Sequence, residues 1–362
     1  MSEPQTETAR RPIHLGWRKL SRRVRALIVG AVFFVVLLVL LMALPVPYVI
    51  MSPGPTVNTL GKYGDEQLIQ ISGTPVTRTT GNLNLTTVNV TTASHRITAL
   101  NALVGWLAHD QVVVPKASIY PPGQSTQQIE QQNRTDFSSS QNSAIAAASC
   151  ELGYPKQDGV VSVVAGQASD GKLEAGDVIE KVDGQATPDN ETLLTVLEGQ
   201  QAKSTVPVVI LRQRKEQTVQ ITLGAPVQGR HGGSLGVSIG TICQPPFSVT
   251  MAQTDIGGPS AGMMFALGIL DLVGPDDLTD GRFIAGTGTI DPDGTVGPIG
   301  GIQMKMIAAR RAGATVFLAP EANCPDVRGN VPSGLTVVKV DTLHNAVQDL
   351  DALEQRKSVP SC

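Results

Sequence analysis

The chain is poor in aromatic residues, 4% of its 362 positions, and poor in charge, at 16%. It has four cysteines and no Cys-x-x-Cys pair, which argues against a zinc knuckle. His95 and His109 have no ligand-type neighbours at useful spacing and read as surface or capping residues, so no metal site is expected. Basic excess is missing from the folded part. Arg10, Arg11, Arg18, Lys19, Arg22, Arg23 and Arg25 fall within residues 1–25 against Glu3 and Glu7, leaving 21 basic and 29 acidic residues after them, a net of −8. A nucleic-acid-binding domain shows the opposite balance, so nucleic acid is set aside as a partner.

Charge is also absent from Ala26 to Leu44, where Gly30 is the only glycine. As a helix, this run spans about 28 Å, the thickness of a bilayer's hydrocarbon core. Leu41, Met42 and Ala43 make a poor cleavage site and Pro45 and Pro47 follow, so the run reads as an uncleaved anchor rather than a signal peptide. The arginines before it place the N-terminus in the cytoplasm and everything after residue 48 outside. Disulfides are allowed there, and Cys150, Cys243, Cys324 and Cys362 permit three pairings. A bridge from Cys324 pinning the terminal Cys362 is favoured, with four free buried thiols as the alternative.

With 41% hydrophobic residues the chain can bury a large core, and 37 glycines and 24 prolines announce many turns. Residues 49–60 and 83–91 have strand character, and 98–115 read as a short helix running into a strand. The Gln/Ser/Asn-rich stretch 123–149 ends in an alanine run, which suggests a polar helix or linker leading into a buried helix. Residues 158–224 then give a strand, a turn before Leu173, a strand at Asp177–Gly184, a helix near 190–199 and a hairpin from Val206. This unit resembles a bacterial-type PDZ domain, on Gly159–Val161, Leu173, Gly176–Ile179, Val182–Gly184 and Val206–Leu211. The resemblance implies a groove that takes an extended peptide, often a C-terminus, as an added strand. Gly159, Val160 and Val161 would line it, facing Leu193, Leu194 and Leu197. Gly166–Lys172 spells the opening of a phosphate-binding loop, but Leu173 supplies no hydroxyl and the stretch joins two strands, so no nucleotide is expected.

Residues 255–268 read DIGGPSAGMMFALG. Pro259 suits a first helical turn, which would put Ser260 inside that turn with Gly258 as N-cap. Small neighbours would leave the hydroxyl accessible, and free N–H groups near Gly258 and Ser260 could hold an oxyanion. A serine needs a base. In the helix expected from Ile302 to Gly313, Lys305 falls in the apolar arc with Ile302, Met306, Ala309 and Ala312, while Arg310 and Arg311 face away. Such surroundings favour the neutral amine.

The blocks Gly257–Gly262, Asp277–Thr279, Ile284–Gly288, Gly297–Ile302 with Lys305, Ala308–Ala314 and Phe317–Glu321 with Asn323 resemble, in this order, the proteolytic domain of Lon proteases. Together with the anchor and the PDZ-like unit, they resemble the membrane-bound PDZ–Lon-like proteins of bacteria. The resemblance implies Ser260 as nucleophile, Lys305 as general base and Thr287 as the residue orienting the lysine. Gly257 and Thr289 stand where many Lon enzymes carry acidic residues. The ATPase module has no counterpart here, so an ATP-independent serine endopeptidase is expected, without cofactors. It would sit in the bacterial cell membrane with a single pass, cleaving extracytoplasmic polypeptides, and could assemble as a hexamer.

The expected architecture is α+β and multidomain: a basic segment 1–25, an anchor 26–48, an extracytoplasmic region 49–149, a PDZ domain 150–225, a Lon-type proteolytic domain 226–350 and a tail 351–362. Two rival readings stand beside it. One is a non-catalytic PDZ scaffold. The other is a Ser-His-Asp hydrolase using His344 and Asp326 with the Gly-x-Ser-x-Gly pattern. Asp291–Gly294 reads as a β-turn rather than a calcium loop.

Overall fold

The computed structural model describes residues 21–77 and 79–362. Arg10, Arg11, Arg18 and Lys19 lie outside the described residues. Ser21 caps the first helix, Arg22–Ala43, by accepting the Val24 N–H at 3.4 Å, and none of that helix's residues is buried. By length and composition it is a candidate membrane span. Pro45 and Pro47 cannot continue a helix, and the chain turns directly into strand Tyr48–Asn58.

That strand enters a six-stranded mixed sheet. Its order is Thr336–Val340, Val316–Pro320, Phe283–Gly286, Asn82–Val90, Tyr48–Asn58, Val112–Pro115. Tyr48–Asn58 runs antiparallel to both of its neighbours. Asn82–Val90 and Phe283–Gly286 pair in parallel, Phe283 opposite Asn82 and Gly286 opposite Leu85. Local sequence pattern sets residues 49–149 apart as a region of their own. In the structure, strands from 48–115 and from 283–340 form one sheet, and the PDZ-like unit is carried as an insertion between them. Short strands do not reveal pairing across some 200 positions, so the local signals of the inserted unit look like a boundary.

Of the two readings of 123–149, the polar helix is the one present: it and the buried helix are continuous, as Thr126–Glu151. It opens with a capping box between Ser125 and Gln128, and its alanine-rich second half is buried. It packs on helix Gly262–Val273, where Phe137 and Phe265 stack edge-on at 5.7 Å between ring centroids. Beyond it, strands Val178–Val182, Thr205–Arg212, Lys215–Thr222 and Gln185–Ala186 form a four-stranded sheet. Val160, Leu173, Leu193, Leu197, Val208 and Ile221 share one core with these strands. Strand Lys156–Val163 pairs along its length with Val237–Cys243. This unit therefore extends past the expected limit at 225, and Leu235 belongs to its core.

Two disulfides are present, Cys150–Cys243 and Cys324–Cys362. The first ties the end of the long helix to strand Val237–Cys243. The second is the tail-pinning bridge favoured from sequence.

Candidate active site

Ser260 lies in a turn just ahead of helix Gly262–Val273, not inside its first turn, and the N-cap is Ala261 rather than Gly258. The Ser260 carbonyl explains the delay. It accepts the Gly288 N–H and the Thr287 hydroxyl, both at 2.9 Å, and so does not take the helical bond four residues on; the first such bond runs from Phe265 N–H to Ala261 O. Gly258 adopts a left-handed φ of 82°, which glycine takes without steric cost. Its N–H, expected as an oxyanion donor, is instead donated to Asn133 O at 2.9 Å. The N–H groups of Ser260 and Ala261 have no intramolecular acceptor among the described residues.

The small residues around Ser260 serve packing as well as access. A Cβ on Gly262 would stand 2.7 Å from Ser140 Oγ and 2.8 Å from Ile290 Cγ2. Ser140, buried on the long helix, donates to Pro259 O at 2.9 Å. The long helix therefore grips the serine turn twice, through Asn133 and Ser140. Both lie in a stretch whose composition reads as a polar helix or linker, and nothing in the sequence marks them.

Helix Ile302–Ala312 carries Lys305 and ends at Gly313, with φ 107°. At its N-terminus, Gly301 has φ 71°, and a Cβ there would stand 2.9 Å from Met51 and 3.0 Å from Val88. The loop before it is clamped by buried Asn323, which accepts the Ile299 N–H and donates to Ile299 O, each at 2.9 Å. Lys305 is 2% exposed, and Ile302, Met304, Met306, Ala308 and Ala309 are buried with it. Arg310 and Arg311 face solvent as expected; Ala312, placed beside the lysine by helical spacing, is exposed.

Lys305 Nζ stands 2.7 Å from Ser260 Oγ and 2.8 Å from Thr287 Oγ1. No carboxylate forms an ion pair with it among the described residues. Burial alone lowers its pKa from 10.5 to about 7, because the charged form loses its hydration. Thr287 spends its proton on the Ser260 carbonyl, so its oxygen can accept an N–H from the amine. A neutral Lys305 bonded in this way directs its lone pair at the serine hydroxyl. The groups open into a cleft of about 490 Å³ whose walls include Pro55, Thr86–Asn89 and Asp255–Gly258.

The second predicted site is arranged differently from expectation. A cavity of about 620 Å³ runs beside helix Asn190–Glu198, lined by Leu193, Leu194 and Leu197. Its other wall is Leu235–Val237 and Ile239, not Gly159–Val161. Strand Val237–Cys243 occupies the edge beside Lys156–Val163 and so takes the place expected for Gly159–Val161. Val160 is in the core, and a Cβ on Gly159 would collide with Ile242. Val161 lines a separate cleft with Pro259 and Asp291.

His344 does not reach the serine. Its Nδ1 bonds Glu151 Oε1 at 2.8 Å and its Nε2 bonds Gln348. Asp291–Gly294 forms a turn closed by the Gly294 N–H on Asp291 O at 2.9 Å, and no group of three metal-ligating side chains occurs among the described residues.

Residues 249–353 match the family model for the Lon protease (S16) C-terminal proteolytic domain, and residues 133–223 match that of the PDZ domain. A Lon protease of Roseiflexus castenholzii is 40% identical over 90 residues, covering 24% of this chain and 11% of that protein. A Lon protease of Campylobacter concisus is 35% identical over 99 residues, covering 25% and 12%. The matched stretch is thus about a tenth of the length of these relatives. The solved PDZ domain of an SdrC-like protein from Listeria monocytogenes is 22% identical with a TM-score of 0.21, covering 23% of this chain and 86% of that one. Its counterpart from Listeria innocua is 25% identical, also at 0.21, covering 22% and 89%.

Proposed function

We propose that this chain, in which a Lon-type proteolytic domain is combined with a PDZ domain, is a membrane-anchored serine endopeptidase working through a Ser260–Lys305 dyad. One observation carries the reading: a buried amine without a counter-ion among the described residues lies 2.7 Å from the serine oxygen. Neutral Lys305 takes the Ser260 proton as Oγ attacks the peptide carbonyl. The N–H groups of Ser260 and Ala261 hold the oxyanion. Lys305 then passes its proton to the departing amine, and water hydrolyses the acyl-enzyme by the same route.

Helix Arg22–Ala43 anchors the chain, with the arginines on its cytoplasmic side and the catalytic cleft outside. The cavity beside Leu193 and Leu197 receives polypeptide ends, which feeds substrates to the cleft. Proteolysis proceeds without nucleotide. In support, Lys172 of the Gly166–Lys172 segment donates to Gln220 O at 2.9 Å within the PDZ domain. Assembly into a hexamer is proposed from the resemblance alone, and native mass measurement in detergent tests it.

The deciding experiment compares cleavage of an unfolded protein, and labelling by a fluorophosphonate, across three variants. Ser260→Ala and Lys305→Ala abolish both signals while folding persists; His344→Ala leaves both intact. Full activity in either dyad variant, or loss in His344→Ala, overturns the proposal.

A further inference from the structure

Helix Ala99–Leu107 reads ALNALVGWL, with no charged residue. Leu103, Val104, Trp106 and Leu107 are 43%, 55%, 60% and 73% exposed. On a helical wheel these four fall within an arc of about 160°. Ala102 and Gly105, on the opposite side, are the buried residues. The inward face is therefore small and the outward face large and apolar, the reverse of a surface helix in water.

What lies against that face follows from where the helix begins. The chain leaves helix Arg22–Ala43 at Leu44, and Leu44 O accepts the Ala99 N–H at 3.0 Å. One step on, Val46 N–H donates to Ile97 O at 3.0 Å, and Pro45 bridges Thr98. The exposed apolar arc is thus joined through backbone bonds to the end of the proposed membrane span, whose own Met42 and Leu44 are also exposed. Tyr48 and Trp106 stack edge-on at 5.8 Å between ring centroids. Tyrosine and tryptophan at the end of a span sit at the headgroup level of a bilayer.

We infer that helix Ala99–Leu107 lies in the outer face of the membrane, with Leu103, Val104, Trp106 and Leu107 sunk among the lipids at the boundary between headgroups and acyl chains. The inference rests on the reading of helix Arg22–Ala43 as an anchor. It adds a second point of attachment, and a helix buried along one face is held in the plane of the interface. Two attachments fix how the catalytic domain is tilted; a single span would leave it free to swivel. Asp110, three residues beyond the helix, pairs with Arg311 at 2.8 Å on the helix that carries Lys305. Pro55 in the cleft wall is seven positions along its strand from Tyr48, so the cleft stands no more than about 24 Å of extended chain from the membrane end of that strand.

The test uses the full chain with Trp17→Phe, which leaves Trp106 as its single tryptophan, reconstituted into phosphatidylcholine vesicles. Trp106 emission is expected to be blue-shifted and quenched by lipids brominated high on the acyl chain more than by lipids brominated near its end. Leu103→Ser with Leu107→Ser should shift emission to the red and reduce that quenching several-fold, while the chain resists alkaline carbonate extraction. Retention in the vesicles with red, unquenched emission overturns the inference and leaves the anchor standing. Blue emission without quenching by brominated lipid points to a second copy of the chain on this face and also overturns it. Release of the unmutated chain by carbonate overturns the anchor reading, and the inference with it.

Discussion

Replacing Lys305 with methionine keeps an unbranched side chain as far as Cε and removes the amine, which separates stability from catalysis. The pKa fall from 10.5 to about 7 amounts, at 1.36 kcal/mol per unit, to about 5 kcal/mol of unfavourable charge burial. Because the fold lowers the pKa, the unfolded chain holds a proton between about 7 and 10.5 that the folded chain has released. The stability contributed by this group therefore rises with pH across that window and is lowest below about 7. Methionine removes the burden but also the two hydrogen bonds to Ser260 and Thr287, at about 1 kcal/mol each. Near neutral pH, Lys305→Met should thus be more stable by about 2–3 kcal/mol and inactive in cleavage. Urea unfolding of both proteins from about pH 6 to pH 10 reads this difference, which should shrink toward the alkaline end. The rate of peptide cleavage by the unmutated chain should rise with an apparent pKa of about 7. A variant less stable than its parent at neutral pH, with a difference flat in pH, would mean that the amine is charged and solvated in the fold. The base assignment would then fail.

Thr287→Val removes both the acceptor for Lys305 and the donor to the Ser260 carbonyl; kcat should fall by roughly 10–100-fold, with Thr287→Ser restoring most of it. Ser140→Ala removes the bond to Pro259 O, and should lower kcat by about 3–10-fold with KM nearly unchanged, since Ser140 lines no wall of the cleft that holds Ser260. Cys324→Ser with Cys362→Ser opens a loop of sequence separation 38 and should cost about 3–4 kcal/mol of stability, read as a lower unfolding midpoint, with the cleavage rate at low temperature preserved.

Several parts of this architecture are legible from short-range pattern. An uncharged run at Ala26–Leu44 marks the candidate span, and helical spacing places Lys305 among buried neighbours while Arg310 and Arg311 face out. Alternation marks the strand at 83–91. Partners at a distance are another matter. That strand's parallel neighbour, Phe283–Gly286, lies on the far side of a unit with its own turns, caps and core, so local pattern suggests a boundary where the sheet continues. The peptide groove was displaced for a related reason. Gly159–Val161 has the pattern of an edge strand, but Val237–Cys243, after the hairpin, pairs over that edge and becomes the wall facing Leu193.

The start of the serine helix shows how such contacts override local preference. Pro259 favours a helix beginning at once, and on propensity alone Ser260 would enter the first turn. For that, its carbonyl would have to accept an N–H four residues on. The Gly288 N–H and the Thr287 hydroxyl take that carbonyl first, and Ser140 takes the carbonyl of Pro259. With the carbonyls of Pro259 and Ser260 held by these three bonds from outside their own segment, the turn stays open until Gly262. The same Thr287 oxygen that retains the Ser260 carbonyl also meets Lys305 Nζ, so the interaction that delays the helix brings the hydroxyl and the amine together. Thr287→Val removes one of the two bonds on the Ser260 carbonyl, leaving the Gly288 N–H in place, and with it the oxygen that holds Lys305 Nζ. A widened Oγ–Nζ distance in its structure, with the turn still open until Gly262, is the expected result.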